Sequence, residues 1–432
     1  MSMYLKLNKC AYRYMYSSIK FLIVSTVLCH SVAQAQEQVN SQASKNLVTS
    51  ATDWFDRVTL PYNLQIHGFA SQAFISTSDN NFFGNTDGGG NFGFTELGLN
   101  ALAQPLPKLQ LSVQVLSRRA GNGNSGAPRL DFGFADYRLF SRDTDQFGIR
   151  IGRLKNPFGF YNDTRDVAFT RPSILLPQSI YFDRTRNLGL SGDAVHLYGE
   201  SSHKNLGSLS VQFGVFRPLV GDKDTELSLL GGDRAGNLTR KLSYIGRGIY
   251  ETNNKQIRLA LSGIWLDVGY DPAANDPLAS GNIQFTPVFF SAQYNGERWS
   301  LTSEYAIRHF KYKNFNHPGF DSLDFTGESY YFQSAYRFTP KWEGVLRYDA
   351  LFTDRVDRSG QQYFAASGRP AYSRFAKDIT VGLRWNVTPA FMLRTEYHNV
   401  NGTAWLSTLE NPSPSDTRQH WDLFAVQASY RF

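Results

Sequence analysis

Apolar and polar side chains alternate along this chain in stretches of about ten residues, and such stretches recur to its end. One face of the last stretch carries Phe424, Val426, Ala428, Tyr430 and Phe432. Because successive side chains of a β-strand point to opposite sides, a period of two predicts strands with one apolar and one polar face. Helical periodicity is nearly absent, and no run after residue 35 is long and apolar enough for a transmembrane helix.

Sixteen such segments can be counted in residues 63–432, and the links between them alternate between short turns and longer stretches. An even strand number, with short turns at one end and long loops at the other, is typical of bacterial transmembrane barrels. The sheet must close, because an unpaired backbone group in lipid costs several kcal/mol. We therefore predict an all-β fold, a transmembrane antiparallel β-barrel of sixteen strands.

Residues 1–35 are predicted to be a secretory signal peptide. Four basic residues and no acidic one precede the apolar stretch 21–28, and Ala33 and Ala35 frame an A-x-A cleavage site. An alternative is a lipoprotein modified at Cys29, but Leu28 is too bulky for the residue before such a site. Residues 36–62 are interpreted as a short periplasmic leader, so the barrel domain covers residues 63–432.

Removal of the signal peptide would change the cysteine count and the charge. Cys10 and Cys29 both lie in it, so the mature chain would have neither a disulfide nor a thiolate site. The excess of basic residues would fall from seven to three, which leaves no concentrated basic patch for nucleic acid. No cofactor is expected. Export together with a barrel predicts the cell outer membrane of a Gram-negative bacterium, with lipid and lipopolysaccharide as partners.

The link between the fifth and sixth predicted strands, residues 155–189, follows Gly152 and Arg153 and continues through Pro157 and Gly159. This Gly-Arg…Pro-x-Gly passage and the strand pattern of nearly the whole mature chain resemble the porin superfamily. In sixteen-stranded porins the third external loop follows strand five, folds inward and narrows the channel. The resemblance therefore implies an inward-folded third loop, a passive water-filled channel and a homotrimer.

Two further features carry the same resemblance. The arginines between Arg165 and Arg186 are most similar to those of phosphate-selective-type porins. The terminal Phe432 resembles the C-terminal signal of bacterial outer-membrane proteins, which implies contact with the barrel-assembly machinery.

Charged residues between Arg153 and Arg186, in the long link and just before it, are predicted to form the constriction of the channel. This set is Arg153, Lys155, Arg165, Arg171, Arg184, Arg186, Asp163, Asp166 and Asp183. By alternation, further charged side chains are expected to face the lumen, namely Arg118, Arg138, Arg150, Arg258, Arg308, Arg347, Arg384, Arg394, Glu304 and Glu396. Fixed charge in a narrow pore selects the opposite ion, so the excess of arginine favours a mild anion preference. The alternative is that arginines and acids pair and fill the interior without selecting any ion.

Three motifs resemble ligand-binding sites but are interpreted as structural. The glycines of 121–126 match a dinucleotide-binding pattern, but Pro128 and a strand follow where a helix is required. Residues 79–90 resemble a calcium loop without its terminal glutamate, which favours an exposed flexible loop. Glu396 and His398 share a strand face without a third ligand, so a solvated lumen pair is favoured over a metal site. We find no catalytic constellation and expect no enzyme activity.

Three functions remain open at this point. The first is a passive channel for small hydrophilic solutes, which the strand count, the long fifth link and the polar inner face favour together. The second is a substrate-specific transporter that resembles the long-chain fatty acid type, but residues 36–61 lack the Asn-Pro-Ala motif of that family. The third is a barrel whose loops serve as an adhesin or receptor. Loops rich in Gly, Asn and Asp do not favour this third function.

Overall fold

Sixteen antiparallel strands form one closed sheet in the computed structural model, which describes residues 63–432. The predicted signal peptide and leader lie outside the described residues. Each strand pairs with its neighbours in the sequence, and β1 pairs with both β2 and β16, which closes the barrel. The predicted fold class is confirmed. The strands are β1 (Gln65–Thr77), β2 (Asn91–Leu106), β3 (Leu109–Ala120), β4 (Asn124–Ser141), β5 (Asp145–Lys155), β6 (Ser191–His203), β7 (Gly207–Pro218), β8 (Asn237–Arg240 and Ser243–Glu251), β9 (Ile257–Asp271), β10 (Gly281–Asn295), β11 (Trp299–Lys313), β12 (Asp324–Arg337), β13 (Trp342–Phe352), β14 (Phe375–Asn386), β15 (Phe391–Gly402) and β16 (His420–Arg431).

The eighth strand differs from the sequence prediction, which places one continuous strand at 241–252. Both of its segments pair with β9, where Arg240 lies opposite Val268 and Tyr244 lies opposite Trp265. Three residues of β8 therefore face two residues of β9 between these pairs. One extra residue of this kind is a β-bulge, which bends a strand without ending its place in the sheet.

The two faces of the wall have opposite chemistry. On β9 the side chains of Ile257, Leu259 and Leu261 are exposed, whereas the alternate positions Ala260 and Ser262 are buried. The same order holds on β14, where Ile379, Val381 and Leu383 are exposed. Exposed aliphatic side chains in this number would be unstable in water, but they match a belt that faces hydrocarbon. The predicted apolar outer face is confirmed.

An arginine in this apolar belt is expected to destabilise the barrel. We expect Leu261→Arg to lower the free energy of unfolding by about 2–4 kcal/mol in lipid, the usual cost of arginine near the bilayer midplane. Leu206→Arg is the control, because Leu206 is exposed in the turn 204–206 outside the strands. Equal unfolding free energies for the two variants in denaturant titrations would contradict the assignment of the outer face.

Short turns join the strands at one end of the barrel, and longer links join most of them at the other. The link 121–123 is an exception, because it is a tight turn at the long-link end. As predicted, a strand rather than a helix follows the glycines of this turn. The helices of the described residues lie in the long links, at α1 (Arg186–Leu190), α2 (Lys223–Leu230), α3 (Pro318–Asp321) and α4 (Gln361–Ser367). None of the helices within residues 63–432 is long and apolar enough to cross a membrane.

The barrel closes where the end of the chain meets β1. The backbone groups of Phe432 and Gly68 exchange two hydrogen bonds, at 3.0 and 3.2 Å. The Phe432 ring covers Gly68 so closely that a Cβ atom there would lie 2.4 Å from the ring. Because Gly68 has no side chain, the Phe432 ring can pack directly on the backbone of β1.

The prediction of an exposed loop at residues 79–90 is wrong in part. Phe82 and Phe83 are buried, and the Phe82 ring packs edge-on against Trp405 at 5.2 Å between ring centroids. The Phe83 ring lies 4.8 Å from that of Phe94. Asp79, Gly88 and Gly89 are exposed, but the two phenylalanines attach the loop to neighbouring parts of the barrel.

Candidate functional site

Residues 156–190, which we call the β5–β6 segment, pack against the polar face of the barrel wall. Most of the segment is buried. Side chains of distant strands bind it, and the main anchors are Glu304 on β11, Arg347 on β13, and Arg394 and Glu396 on β15. All four belong to the set that alternation predicts to face the lumen. The segment is therefore held by the polar face of the wall at several separate points.

Glu304 fixes the first half of the segment. Its fully buried carboxylate accepts hydrogen bonds from the Phe160 backbone N–H at 2.9 Å and from the Tyr181 hydroxyl at 2.6 Å. Ser291 and Tyr331 on the two neighbouring strands donate to it at 2.6 and 2.8 Å. A carboxylate removed from water needs such donors, because burial of an unpaired charge costs several kcal/mol. Four donors therefore stabilise the charge and tie the segment to β11.

Arg347, Arg394 and Glu396 fix the middle of the segment. Glu396 accepts a hydrogen bond from the Leu175 backbone N–H at 3.1 Å. Arg347 donates to the Ser173 hydroxyl and to the Leu175 carbonyl, both at 3.0 Å. Arg394 donates to the Ser173 carbonyl at 2.6 Å. None of the three charged side chains is more than 3% exposed, so their charges are compensated by these contacts rather than by water.

Ion pairs fix the rest of the segment. Arg118 on β3 pairs with Asp183 at 2.7 Å and with Glu96 on β2 at 3.3 Å. Glu96 also accepts from Arg171 at 3.0 Å. Burial lowers the pKa of Arg165 to about 10, an effect that its neighbour Asp183 opposes. The remaining pairs join Lys155 to Asp131 and Asp166, Arg186 to Asp166, and Arg247 to Asp163.

Arg153 does not take part in the ion pairs of the β5–β6 segment, and the prediction that it lies in the constriction is wrong. β5 continues to Lys155, and Arg153 lies two residues after the exposed Ile151, on the same outward face. Its guanidinium pairs with Asp193 on β6 at 2.7 Å, and Asp193 also pairs with Arg240. The sequence interpretation groups Arg153 with the charges of the link that follows, although alternation along β5 directs its side chain outward.

The ten charged side chains predicted to face the lumen lie opposite the exposed apolar face of their strands. Those that form hydrogen bonds or ion pairs with the β5–β6 segment are Arg118, Arg347, Arg394, Glu304 and Glu396. The other five have different partners. Arg138 donates to the Pro107 carbonyl, Arg150 pairs with Asp136, and Arg384 lies near Glu343. Arg258 lies over the Phe160 ring, and Arg308 lines a cavity.

A cavity of about 180 Å³ lies between the β5–β6 segment, the wall and the long links. No carboxylate of the described residues lines it. Its arginines are Arg165, Arg184, Arg186, Arg308 and Arg374, and its aromatic side chains are Phe158, Phe182, Phe285, Phe289, Phe310, Phe325 and Tyr312. Of the predicted constriction residues, Arg165, Arg184 and Arg186 therefore meet here.

Three of these arginines, Arg184, Arg308 and Arg374, form no ion pair with a described residue. Arg308 is 5% exposed and donates to the backbone carbonyls of Glu328 and Phe352, but its Nε has no hydrogen-bond partner among the described residues. Burial lowers the pKa of Arg184 and that of Arg374, which lie in the links. Arg308 is thus a buried cation without an ion pair in the described part of the protein, whereas Arg184 and Arg374 are half-buried and lie near the carboxylates of Asp224 and Asp354, which are outside the cavity.

A second cavity, of about 350 Å³, lies along the wall from β2 to β7. Asp163 of the β5–β6 segment lines it together with Lys155 at the end of β5 and with Arg150, His196 and Gln212 of the wall. The segment therefore has open space beside it as well as buried anchors.

Glu396 and His398 are buried, so the predicted solvation of this pair is wrong. His398 is 2% exposed, with its Nδ1 2.8 Å from Asp378 and its Nε2 3.3 Å from Glu396. Glu396 is at the same time an anchor of the β5–β6 segment, which explains its burial. Within residues 63–432, no cluster of three or more His, Cys, Asp or Glu side chains could hold a metal ion.

Sequence reasoning misses two parts of the cavity. Arg374 lies in the link between β13 and β14, with its guanidinium 4.6 Å from the centre of the Tyr363 ring, and Leu229 lies on α2. Long links carry no regular alternation, so the sequence offers no signal for the direction of these side chains.

No protein-family model matches the sequence, and no curated protein matches it. Solved structures do match. OprB of Pseudomonas putida gives a TM-score of 0.54 at 11% identity, covering 90% of this chain and 97% of that one. An anion-selective porin from Comamonas acidovorans gives 0.53 at 13% identity, with 85% and 99% covered. OmpF of Salmonella typhi, in complex with daunomycin, gives 0.52 at 14% identity, with 85% and 97% covered. The chain has the sixteen-stranded barrel fold of these outer-membrane proteins.

Proposed function

We propose that the protein is an outer-membrane channel through which small hydrophilic solutes diffuse passively, with a mild preference for anions. In this proposal the β5–β6 segment lies in the lumen and narrows the water path. The protein would be a homotrimer surrounded by lipid and lipopolysaccharide, and Phe432 would be read by the barrel-assembly machinery. It would have no catalytic activity.

The attachment of the β5–β6 segment to β11, β13 and β15 carries the proposal. Side chains of three strands, all on the face opposite the exposed apolar one, bind the segment, and cavities lie on two sides of it. These contacts support a segment that lies inside the barrel rather than at its rim. Pores that are narrowed by charged side chains select solutes by size and charge. The liposome-swelling assay with sugars of increasing size tests this function. We expect a steep decline of the rate with solute size, and no swelling with the smallest sugar would contradict the channel.

The anion preference is expected to depend on arginines without ion-pair partners. In a KCl gradient, the reversal potential of the wild type should indicate that chloride permeates more readily than potassium. We expect Arg184→Gln combined with Arg374→Gln to reduce this preference, since both line the cavity that lacks carboxylates. Arg153→Gln is the matched control, because it removes the same kind of charge from the outward face. Cation selectivity in the wild type would contradict the proposed preference.

A further inference from the structure

The cavity beside the β5–β6 segment combines an aromatic lining with three arginines that form no ion pair within residues 63–432, and passive diffusion alone requires neither feature. Arg308 from the wall and Arg184 and Arg374 from the links supply three guanidinium groups to it. An arginine can hold a carboxylate in a fork of two N–H donors. A bound anion would also relieve the cost of burying Arg308, which is high for a cation without an ion-pair partner.

The rest of the lining fits a flat apolar group. Phe310 lies between Phe285 and Phe325, with ring centroids 4.3 and 5.3 Å away, and Phe158 stacks on Phe289 at 4.9 Å. An apolar protein cavity of about 150 Å³ is large enough to hold benzene. This cavity, at about 180 Å³, is therefore large enough for one aromatic ring with a small substituent.

We propose that the cavity is a binding site for small organic anions that carry a carboxylate on an aromatic ring, as benzoate does. The inference rests on the proposed function, because the ligand would be a permeating solute that binds on its way through the channel. Arg308, assisted by Arg184 or Arg374, holds the carboxylate, and the ring lies against Phe310. Inorganic phosphate fits less well, because it would exchange part of its hydration shell for phenyl rings.

Calorimetric titration of the purified, folded protein in detergent tests the site without depending on conduction. Three probes are compared: benzoate, benzamide, which has the same ring without the charge, and inorganic phosphate. We expect benzoate to bind at least about tenfold more tightly than either of the others, since a charge-assisted contact with arginine contributes about that factor.

Substitutions of arginines that line the cavity test whether benzoate binds there rather than elsewhere in the lumen. We expect Arg308→Gln to weaken benzoate binding by about tenfold or more. Arg258→Gln is the matched control and should leave binding unchanged. Each of these arginines lies 4.8 Å over a phenylalanine ring, but Arg258 is outside the cavity. Arg374→Gln, which changes a link and not the wall, provides the same test if the Arg308 variant does not fold.

Three results would overturn the proposal. Benzamide could bind as tightly as benzoate, both cavity variants could bind benzoate as the wild type does, or phosphate could bind tightly where benzoate does not. Each would show that the arginines and the rings do not act together on one ligand. None of these results affects the channel itself, which fails separately if the folded protein releases no solute from liposomes.

Discussion

Replacement of Glu304 by leucine is expected to lower the free energy of unfolding by at least about 3 kcal/mol. The carboxylate is fully buried and accepts hydrogen bonds from four donors, and each buried donor left without a partner costs about 1–3 kcal/mol. Two of the donors, Phe160 and Tyr181, belong to the β5–β6 segment, so the segment should also loosen. Denaturant titration of the folded barrel in lipid measures the first effect, and current noise in planar bilayers reports the second.

Glu343→Gln is the matched control for this substitution. Glu343 is half-buried on β13 and lies 3.9 Å from Arg384, away from the segment. Since weak, partly exposed ion pairs contribute little, we expect a change within about 1 kcal/mol. If the Glu304 variant were as stable as this control, Glu304 would not be an anchor of the segment.

Replacement of Arg347 by leucine is expected to cost about 3–5 kcal/mol, the usual loss when one partner of a buried charged pair is removed. Arg347 is 1% exposed, and its Nε lies 3.6 Å from the carboxylate of Asp349. Asp349 is fully buried and lies opposite Asp378 on the neighbouring strand, so two carboxylates would remain side by side. The substitution also removes the hydrogen bonds to Ser173 and Leu175. Denaturant titration measures the change.

Two further variants identify the cause of this loss. Arg384→Leu removes an arginine that faces the same way on the neighbouring strand β14. Its contact with Glu343 is partly exposed, so a loss below about 1 kcal/mol is expected. Adding Asp349→Asn to the Arg347 variant should recover part of the stability, because it removes the charge that was left unpaired. An Arg347 variant that is no less stable than the Arg384 variant, or that Asp349→Asn destabilises further, would contradict the account.

The barrel wall could be predicted from sequence because each strand obeys a rule of period two. Contact with lipid makes this period detectable in the sequence, because Leu259 and Leu261 must be apolar whereas the residue between them need not be. The strand number and the closure follow from counting such segments. The break in β8 escapes prediction because a bulge adds one residue without removing the apolar positions on either side.

The candidate site could be predicted only in part. Alternation identifies Arg308 and Glu304 as inward side chains, because their direction is a local property of the strand. Their partners depend on tertiary packing: the Glu304 carboxylate has four donors, whereas the Nε–H of Arg308 has no acceptor among the described residues. Arg153 shows that the rule must be applied to the end of a strand. Its position two residues after the exposed Ile151 already directs it outward, away from the link charges with which the sequence interpretation groups it. Arg374 lies in a link without a period, so no local pattern indicates that it reaches the cavity.

Single-channel recording in planar bilayers tests most directly the central claim, that a closed sheet encloses a water path narrowed by residues 156–190. Purified wild-type protein is expected to insert and to give discrete current steps that rise linearly with voltage. Folded protein that inserts into the same bilayer lipid, as flotation with liposomes would show, and yet carries no current would contradict the claim.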